Sequence, residues 1–370
     1  PNPTSRPLLL QPVLPRLGPP MPPEDAPAGC KQPAADVPAD VEPAHAVAPP
    51  EGAVPLVDIS PFASPELHDD AARAHAAAAW DAAMRDVGFA LVCGHGVPPE
   101  LVRELRAGAS RFFARSGAAK AKYCHGPYGN PSGGYTAQGV EAVARTFEGG
   151  KAPPDLVENY VFKYPKESVP PEHPPELAWP CKQYFEALEK VLRALNRLSA
   201  AALRLPQDFF DPFFEPPDCS LRLAHYPPLP PEMPRGQLRY GPHTDYTGFT
   251  ILLQDELDLG VPGAGGLEVL LDGAWQPVLP RQGCFVVNVG DLYPVWTNGR
   301  WRSTIHRVSN PPPGSEAAAR ARVSVPFFTG PRGDALVEPL ASCIDEEHPP
   351  LHAPVRAIDH LKAKLGISNV

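Results

Sequence analysis

Paired cysteines, runs of positive charge and long apolar stretches are all missing from this sequence, and each absence removes a class of function. The seven cysteines (30, 93, 124, 181, 219, 284 and 343) are odd in number and scattered, with no C-x-x-C pair. That argues against a zinc ribbon or a redox dithiol and favours a reducing compartment. Lysine and arginine never cluster and the net charge is -9, so the electrostatic footprint of a nucleic-acid or anionic-membrane binder is lacking. No apolar stretch approaches the ~20 residues that cross a bilayer. The expected partner is a small molecule, with no nucleic acid and no membrane, and the expected protein is a soluble monomer.

Proline is in excess: 53 of 370 residues, against an ordinary share of about 5%. Much of it lies in residues 1–52, a Pro/Ala-rich stretch without helical or strand periodicity that reads as a disordered leader. Cytoplasm is the expected compartment, with organelle targeting by that leader as the other reading. Order is expected from Val54 onward. Val54–Ile59 reads as a short strand, Ser64-Pro65-Glu66 as the start of a helix running to Val87, and Gly88 as its stop. Phe89–Cys93 reads as a strand, with a helix after Pro98-Pro99-Glu100, and residues 182–205 carry apolar residues at helical spacing.

From residue 219 the texture changes to short β-branched and aromatic runs separated by turns: Phe249–Leu253, Leu267–Leu271 with its Asp272-Gly273 turn, Phe285–Val289 and Val323–Phe328. Such runs without intervening helices predict an antiparallel sandwich or barrel, with a jelly roll the natural candidate. Val355–Leu365 reads as a C-terminal helix on its outside. The expected fold is α+β: a double-stranded β-helix (jelly-roll) core flanked by helices, with a mostly helical N-terminal region. The expected division is a leader at 1–52, an N-terminal region at 53–215, a catalytic core at 216–335 and a C-terminal helical extension at 336–370.

The chemistry concentrates in Gly241-Pro242-His243-Thr244-Asp245. Residues two apart in an extended chain share a face, so His243 and Asp245 project together. A redox metal needs a third ligand. His306, in the strand-like run Trp301–Val308, is the best candidate. Two imidazoles and a carboxylate leave open positions on an octahedral ion, the arrangement of non-haem iron(II) oxygenases, with zinc as the alternative metal. Arg322 and Ser324, on one strand face, pair a guanidinium with a hydroxyl, a good receptor for a carboxylate.

The segments LRLAHYPP (221–228), PHTDYTGFTILLQD (242–255), GGLEVLLDGAWQPV (265–278), VVNVGDLYPVWTNGRWRSTIHRVSNP (286–311) and RVSVPFF (322–328) resemble the 2-oxoglutarate and iron(II)-dependent oxygenase superfamily, in its isopenicillin N synthase-like branch. VPLVDIS (54–60) and GFALVCGHGVP (88–98) look like that branch's N-terminal domain. The resemblance implies His243, Asp245 and His306 as iron ligands and catalytic residues. It also implies Arg322 and Ser324 as anchors for the distal carboxylate of 2-oxoglutarate, with a further hydrogen bond from Tyr226. One departure is Ala224, where plant members usually carry Asn.

The activity this resemblance implies is that of a dioxygenase. Such an enzyme uses Fe(2+), 2-oxoglutarate and O2, with ascorbate as a reductant, to hydroxylate, desaturate or cyclise a small metabolite with release of succinate and CO2. The alternatives are a 2-oxoglutarate-independent iron oxidase of the isopenicillin N synthase type and a non-catalytic binding protein on the same fold. Tyr135, Phe162 and Phe328 are candidates for the substrate pocket, although aromatics are more often core. His95, Asn288, Gly290 and Asp291 read as turn-forming rather than catalytic.

Overall fold

A computed structural model describes residues 54–124, 133–145, 152–163, 173–255 and 266–368. The leader predicted at 1–52 lies outside the described residues, as does part of the Gly/Pro-rich stretch after 124.

The first half supplies helices and the outer strands of a sheet. Strand β1 (Leu56–Asp58) leads through the short helix α1 (Ser60–Ala63) to α2 (Asp70–Asp86). The helix predicted from Ser64-Pro65 is therefore broken. Pro65–Leu67 makes only a 3-10 turn, and the long helix begins where the Asp69 carboxylate caps it by accepting from Ala72 N at 2.8 Å. Gly88 ends it at φ +74°, and a Cβ there would sit 2.3 Å from the Arg302 carbonyl oxygen, so chain direction and close packing both require glycine. Strand β2 (Phe89–Cys93) then pairs in parallel with β1.

Helices α3 (Pro99–Phe113) and α4 (Gly117–Ala121) and strands β3 (Gly133–Thr136) and β4 (Glu158–Phe162) come next. The long helix α5 spans Pro175–Ala202. It starts ahead of the predicted periodic run because Pro180, an apparent breaker, is accommodated in its second turn. Its buried stripe, including Leu177, Cys181, Tyr184, Leu188, Val191 and Leu195, repeats every three or four residues.

The second half winds back and forth between two sheets. Strands β5 (Ser220–Tyr226), β7 (Phe249–Leu253), β10 (Phe285–Val289) and β12 (Arg322–Phe328) lie in one sheet. Strands β6 (Tyr240–His243), β8 (Gly266–Leu271), β9 (Ala274–Pro277) and β11 (His306–Ser309) lie in the other. The larger sheet has the order β1-β2-β10-β7-β12-β5-β4-β3 and the smaller β6-β11-β8-β9. Strands β5 to β8 alternate between the sheets, as do β10 to β12, which is the winding of a jelly roll. The predicted jelly-roll core is the observed one. Two details differ: helix α6 (Leu292–Trp296) interrupts the strands, and only His306–Ser309 of the run predicted from Trp301 is a strand. Trp301 is instead fully buried, its indole N–H donating to Asp81 at 2.9 Å.

Side-chain alternation along the large sheet divides its two faces. Leu221, Leu223, Ile251, Val287, Val325 and Phe327 join Trp80 of α2, Phe112 of α3 and Leu188 of α5 in the main apolar core. Neighbouring positions on the same strands point the other way, toward the smaller sheet. Among the described residues no helix is long and apolar enough to cross a membrane.

Candidate metal centre

His243 closes β6 and His306 opens β11. The two residues are direct partners in the antiparallel ladder between those strands. Their rings lie 4.1 Å apart, centroid to centroid. Asp245 stands two residues beyond His243, with its Oδ1 3.6 Å from His243 Nε2 and 3.7 Å from His306 Nε2. One donor atom from each of the three lies within 4.8 Å of the others, and all three residues are buried.

Hydrogen bonds aim these donors. His243 Nδ1 faces the Gly241 carbonyl at 2.9 Å and His306 Nδ1 faces the Thr304 carbonyl at 3.1 Å. A carbonyl only accepts, so each ring carries its proton on Nδ1 and presents the Nε2 lone pair to the shared centre. Burial, reinforced by the neighbouring His306, holds the His243 imidazole well below its ordinary pKa, which keeps it neutral and able to ligate. Burial alone would raise the Asp245 carboxyl; the two imidazoles and hydrogen bonds from Asn288 and Thr250 outweigh that and hold it below the usual carboxylate range. The Asn288 amide donates to Asp245 Oδ2 at 2.6 Å, which leaves Oδ1 facing the histidines.

The strand carrying His243 is fixed from behind. Buried Asp155 accepts from Val143 N at 2.8 Å through one carboxylate oxygen and from Gly241 N at 2.9 Å through the other. Gly241 permits this approach, since a Cβ there would meet the Ala144 side chain at 2.6 Å.

Two cavities meet at the triad. An inner one of about 60 Å³ is lined by Tyr226, Asn288, Arg322 and Ser324 together with the three donor residues. Arg322 and Ser324 are both buried, and the guanidinium donates to the Ser324 hydroxyl at 2.7 Å. Tyr226, register partner of Arg322, lies beneath that guanidinium, whose carbon is 5.5 Å from the ring centroid. An outer cavity of about 270 Å³ is lined by Arg222, Glu141, Phe328, Leu361 and Leu365, with His243 and Asp245 at its base.

The structure thus brings His243, Asp245, His306, Arg322, Ser324 and Tyr226 together, with Phe328 at both cavities. Tyr135 and Phe162 line neither one. Tyr135 donates to Glu158 and packs against Phe112, while Phe162 packs against His173 and Phe185. His95 is structural, stacked on Phe285 and within 3.2 Å of the Gly283 carbonyl.

Three features were not evident from the sequence. Asn288, expected only to shape a turn, sits on β10 opposite Thr250 and holds Asp245. Arg222 lies two and four residues before Ala224 and Tyr226 on the same strand face, so strand alternation counted back from Tyr226, which the resemblance had supplied, would have pointed to it. It donates to Glu141 at 2.6 Å and to Tyr240 at 3.2 Å. The C-terminal helix α7 (Ala357–Ser368), expected on the outside, presents Leu361 and Leu365 to the outer cavity.

A jelly roll with two histidines and a carboxylate between its sheets is the arrangement that non-haem iron oxygenases use, and sequence comparison assigns the chain to that class. Residues 217–331 match the model of the 2OG-Fe(II) oxygenase superfamily, and residues 54–183 match that of the non-haem dioxygenase in morphine synthesis N-terminal region. The chain belongs to the 2-oxoglutarate/iron(II)-dependent oxygenase superfamily, and it is an oxidoreductase that uses iron(II) and 2-oxoglutarate to oxidise small metabolites. It is 32% identical to the 2-oxoglutarate-Fe(II) type oxidoreductase ppzC of Metarhizium majus, covering 85% of this chain and 87% of that one. It is 33% identical to gibberellin 20 oxidase 2 of Oryza sativa subsp. indica, over 84% and 75% of the two chains. Among solved structures, a full-length Neurospora crassa protein in complex with alpha-KG and thymine superposes with a TM-score of 0.72 at 25% identity, covering 85% of this chain and 96% of that one.

Proposed function

We propose that His243, Asp245 and His306 hold the iron, that Arg322 and Ser324 bind the distal carboxylate of 2-oxoglutarate with Tyr226 alongside, and that the outer cavity takes the substrate to be oxidised. The observation that carries this reading is the position of the triad where the two cavities meet. A donor set of two imidazoles and one carboxylate, with no thiolate, suits ferrous iron and leaves coordination positions for other ligands. Iron(II) held there supplies activation of dioxygen coupled to the oxidative decarboxylation of 2-oxoglutarate to succinate and CO2.

The chain's own residues perform the positioning. The Arg322 guanidinium, buried beside the Ser324 hydroxyl, offers a fixed charge-assisted receptor that a free carboxylate in water would lack. Asn288 keeps one Asp245 oxygen occupied and the other directed at the metal position. The apolar walls contributed by Phe328, Leu361 and Leu365 limit water around the reacting C–H bond, and cavity shape selects which bond is presented.

Gibberellin 20 oxidase and the thymine complex support a small organic metabolite as substrate. Functionally, residues 53–215 are assigned to support and 216–335 to catalysis, with 336–370 as a C-terminal extension, in a cytoplasmic monomer. The test is stoichiometric. Iron-loaded protein supplied with 2-oxoglutarate and a panel of small metabolites releases succinate in a one-to-one ratio with an oxidised product. Product without succinate overturns the assignment of Arg322 and Ser324.

A further inference from the structure

Helix α7 has a split surface. Leu361 and Leu365, one turn apart, line the outer cavity above His243 and Asp245. The adjacent positions His360 and Lys364, also one turn apart, face Asp291. Lys364 Nζ lies 2.7 Å from Asp291 Oδ2 and His360 Nε2 lies 3.6 Å from the same oxygen. One face of the helix thus forms a cavity wall and the neighbouring face makes an ion pair.

Asp291 is tied in turn to the metal-bearing segment. Its Oδ2 accepts from the hydroxyl of Thr244, the residue between two members of the triad, at 3.3 Å, and its backbone N–H donates to the Asp245 carbonyl at 2.9 Å. On either side, Gly290 N donates to the Gly248 carbonyl and Leu292 N to the Thr247 carbonyl. The carboxylate is only 13% exposed, and Lys364 31%. A pair this shielded is screened less by solvent than a surface pair. The helix is also held at its start, where Ala357 N and Ile358 N donate to the carbonyls of Ala335 and Gly333, while beyond Ala357 its described residues are half-buried or exposed.

We propose that Asp291 is a positioning residue that seats the C-terminal helix on the metal-bearing turn, with Lys364 as its latch, so that Leu361 and Leu365 seal the outer cavity against water. This rests on the assignment of His243, Asp245 and His306 as the iron site. Removing the latch loosens the helix and lets water and an added reductant such as ascorbate reach the centre. That raises the wasteful reaction a closed site suppresses, in which 2-oxoglutarate and O2 give succinate and CO2 while two electrons and two protons from the reductant carry the remaining oxygen atom away as water. Removing the two leucines breaches the wall but leaves the latch in place.

The experiment uses the full chain without any oxidisable substrate. Hydrogen exchange of the amides in 357–368 is measured on wild type, Lys364→Met, Lys364→Arg and the double variant Leu361→Ala/Leu365→Ala. Succinate formation from 2-oxoglutarate under air, with ascorbate added as the two-electron reductant, is measured on the same iron-loaded samples. Lys364→Met is expected to exchange at least about tenfold faster in α7 and to form succinate severalfold faster, with Lys364→Arg restoring both. The leucine double variant is expected to raise succinate formation while α7 exchange stays near wild type. Unchanged exchange in Lys364→Met overturns the latch, and unchanged succinate formation in the double variant overturns the wall. Failure of wild type to bind iron would strike the metal assignment instead, and the exchange result, which needs no iron, would still decide the latch.

Discussion

The two ends of the cavity are built in different ways. At the inner end, Tyr226, Arg322 and Ser324 stand on adjacent strands of the large sheet, locked by register, with Tyr226 opposite Arg322 and Ala224 opposite Ser324. At the outer end, the wall comes from a C-terminal helix, a loop that brings Glu141 and Val143, and the last residue of β12, Phe328. Strand register fixes the first arrangement tightly, whereas the second depends on tertiary contacts between distant segments. On the proposed assignment, the half of the reaction shared with other members of the superfamily, metal and co-substrate, sits on the rigid part, and the half that chooses the substrate sits on the part most easily varied.

If that division holds, damage at the inner end is severe and independent of substrate. Asp245→Ala removes the carboxylate shared by both imidazoles and is expected to abolish iron-dependent turnover while leaving the fold intact, as circular dichroism and metal analysis will show. Arg322→Ala deletes the buried guanidinium and leaves iron bound; the KM for 2-oxoglutarate should rise roughly 100-fold, the equivalent of a lost charge-assisted bond of about 3 kcal/mol. Asn288→Ala frees Asp245 Oδ2 and is expected to weaken iron binding about 10- to 100-fold in a competitive chelator titration.

A smaller effect separates the two faces of the same sheet. Glu158 and His225 are register partners whose side chains meet on the face away from the metal, where Glu158 also binds Lys120 at 2.6 Å and receives the Tyr135 hydroxyl. Burial alone would raise the Glu158 carboxyl, but hydrogen bonds from His225, Lys120 and Tyr135 bring it down to about 2. A depressed carboxylate stabilises the fold above its unfolded pKa near 4.5, and that stability is lost as pH falls through about 2. Glu158→Gln should therefore cost on the order of 2 kcal/mol in urea unfolding at pH 7, flatten the acid decline between pH 4.5 and 2, and leave the 2-oxoglutarate KM unchanged. A large change in that KM would show that the faces are not independent.

The same division decided what could be read from the sequence. The inner end was legible because strand chemistry is periodic: His243 and Asp245, Arg322 and Ser324 are pairs two residues apart, and turns such as Asp272-Gly273 announce themselves. His306 was legible as a residue, but its directness opposite His243 was not, since register between β6 and β11 arises from segments far apart in the chain. Asn288 was missed because a polar residue ahead of Gly290-Asp291 has the composition of a turn. It lies inside the strand expected at Phe285–Val289, but only pairing with β7 shows that its side chain faces Asp245. The outer end was least legible. Nothing in Val355–Leu365 specifies which way a short helix of low amphipathicity docks; that is settled by Asp291, distant in sequence, meeting Lys364. Tyr135 and Phe162, offered as pocket candidates beside the commoner reading of aromatics as core, lie in the helix-covered core of the large sheet.

The central claim, that the His243–Asp245–His306 triad and the Arg322–Ser324 receptor form one site for iron and 2-oxoglutarate, is tested most directly by anaerobic titration of the iron(II)-loaded protein with 2-oxoglutarate. A keto acid chelating ferrous iron gives a weak visible charge-transfer band. The account predicts that band in wild type, its absence in Asp245→Ala, and its loss in Arg322→Ala at the concentration that saturates wild type. A wild-type protein that binds iron at full stoichiometry but never develops the band, or an Arg322→Ala variant that develops it at the wild-type concentration, would contradict the account.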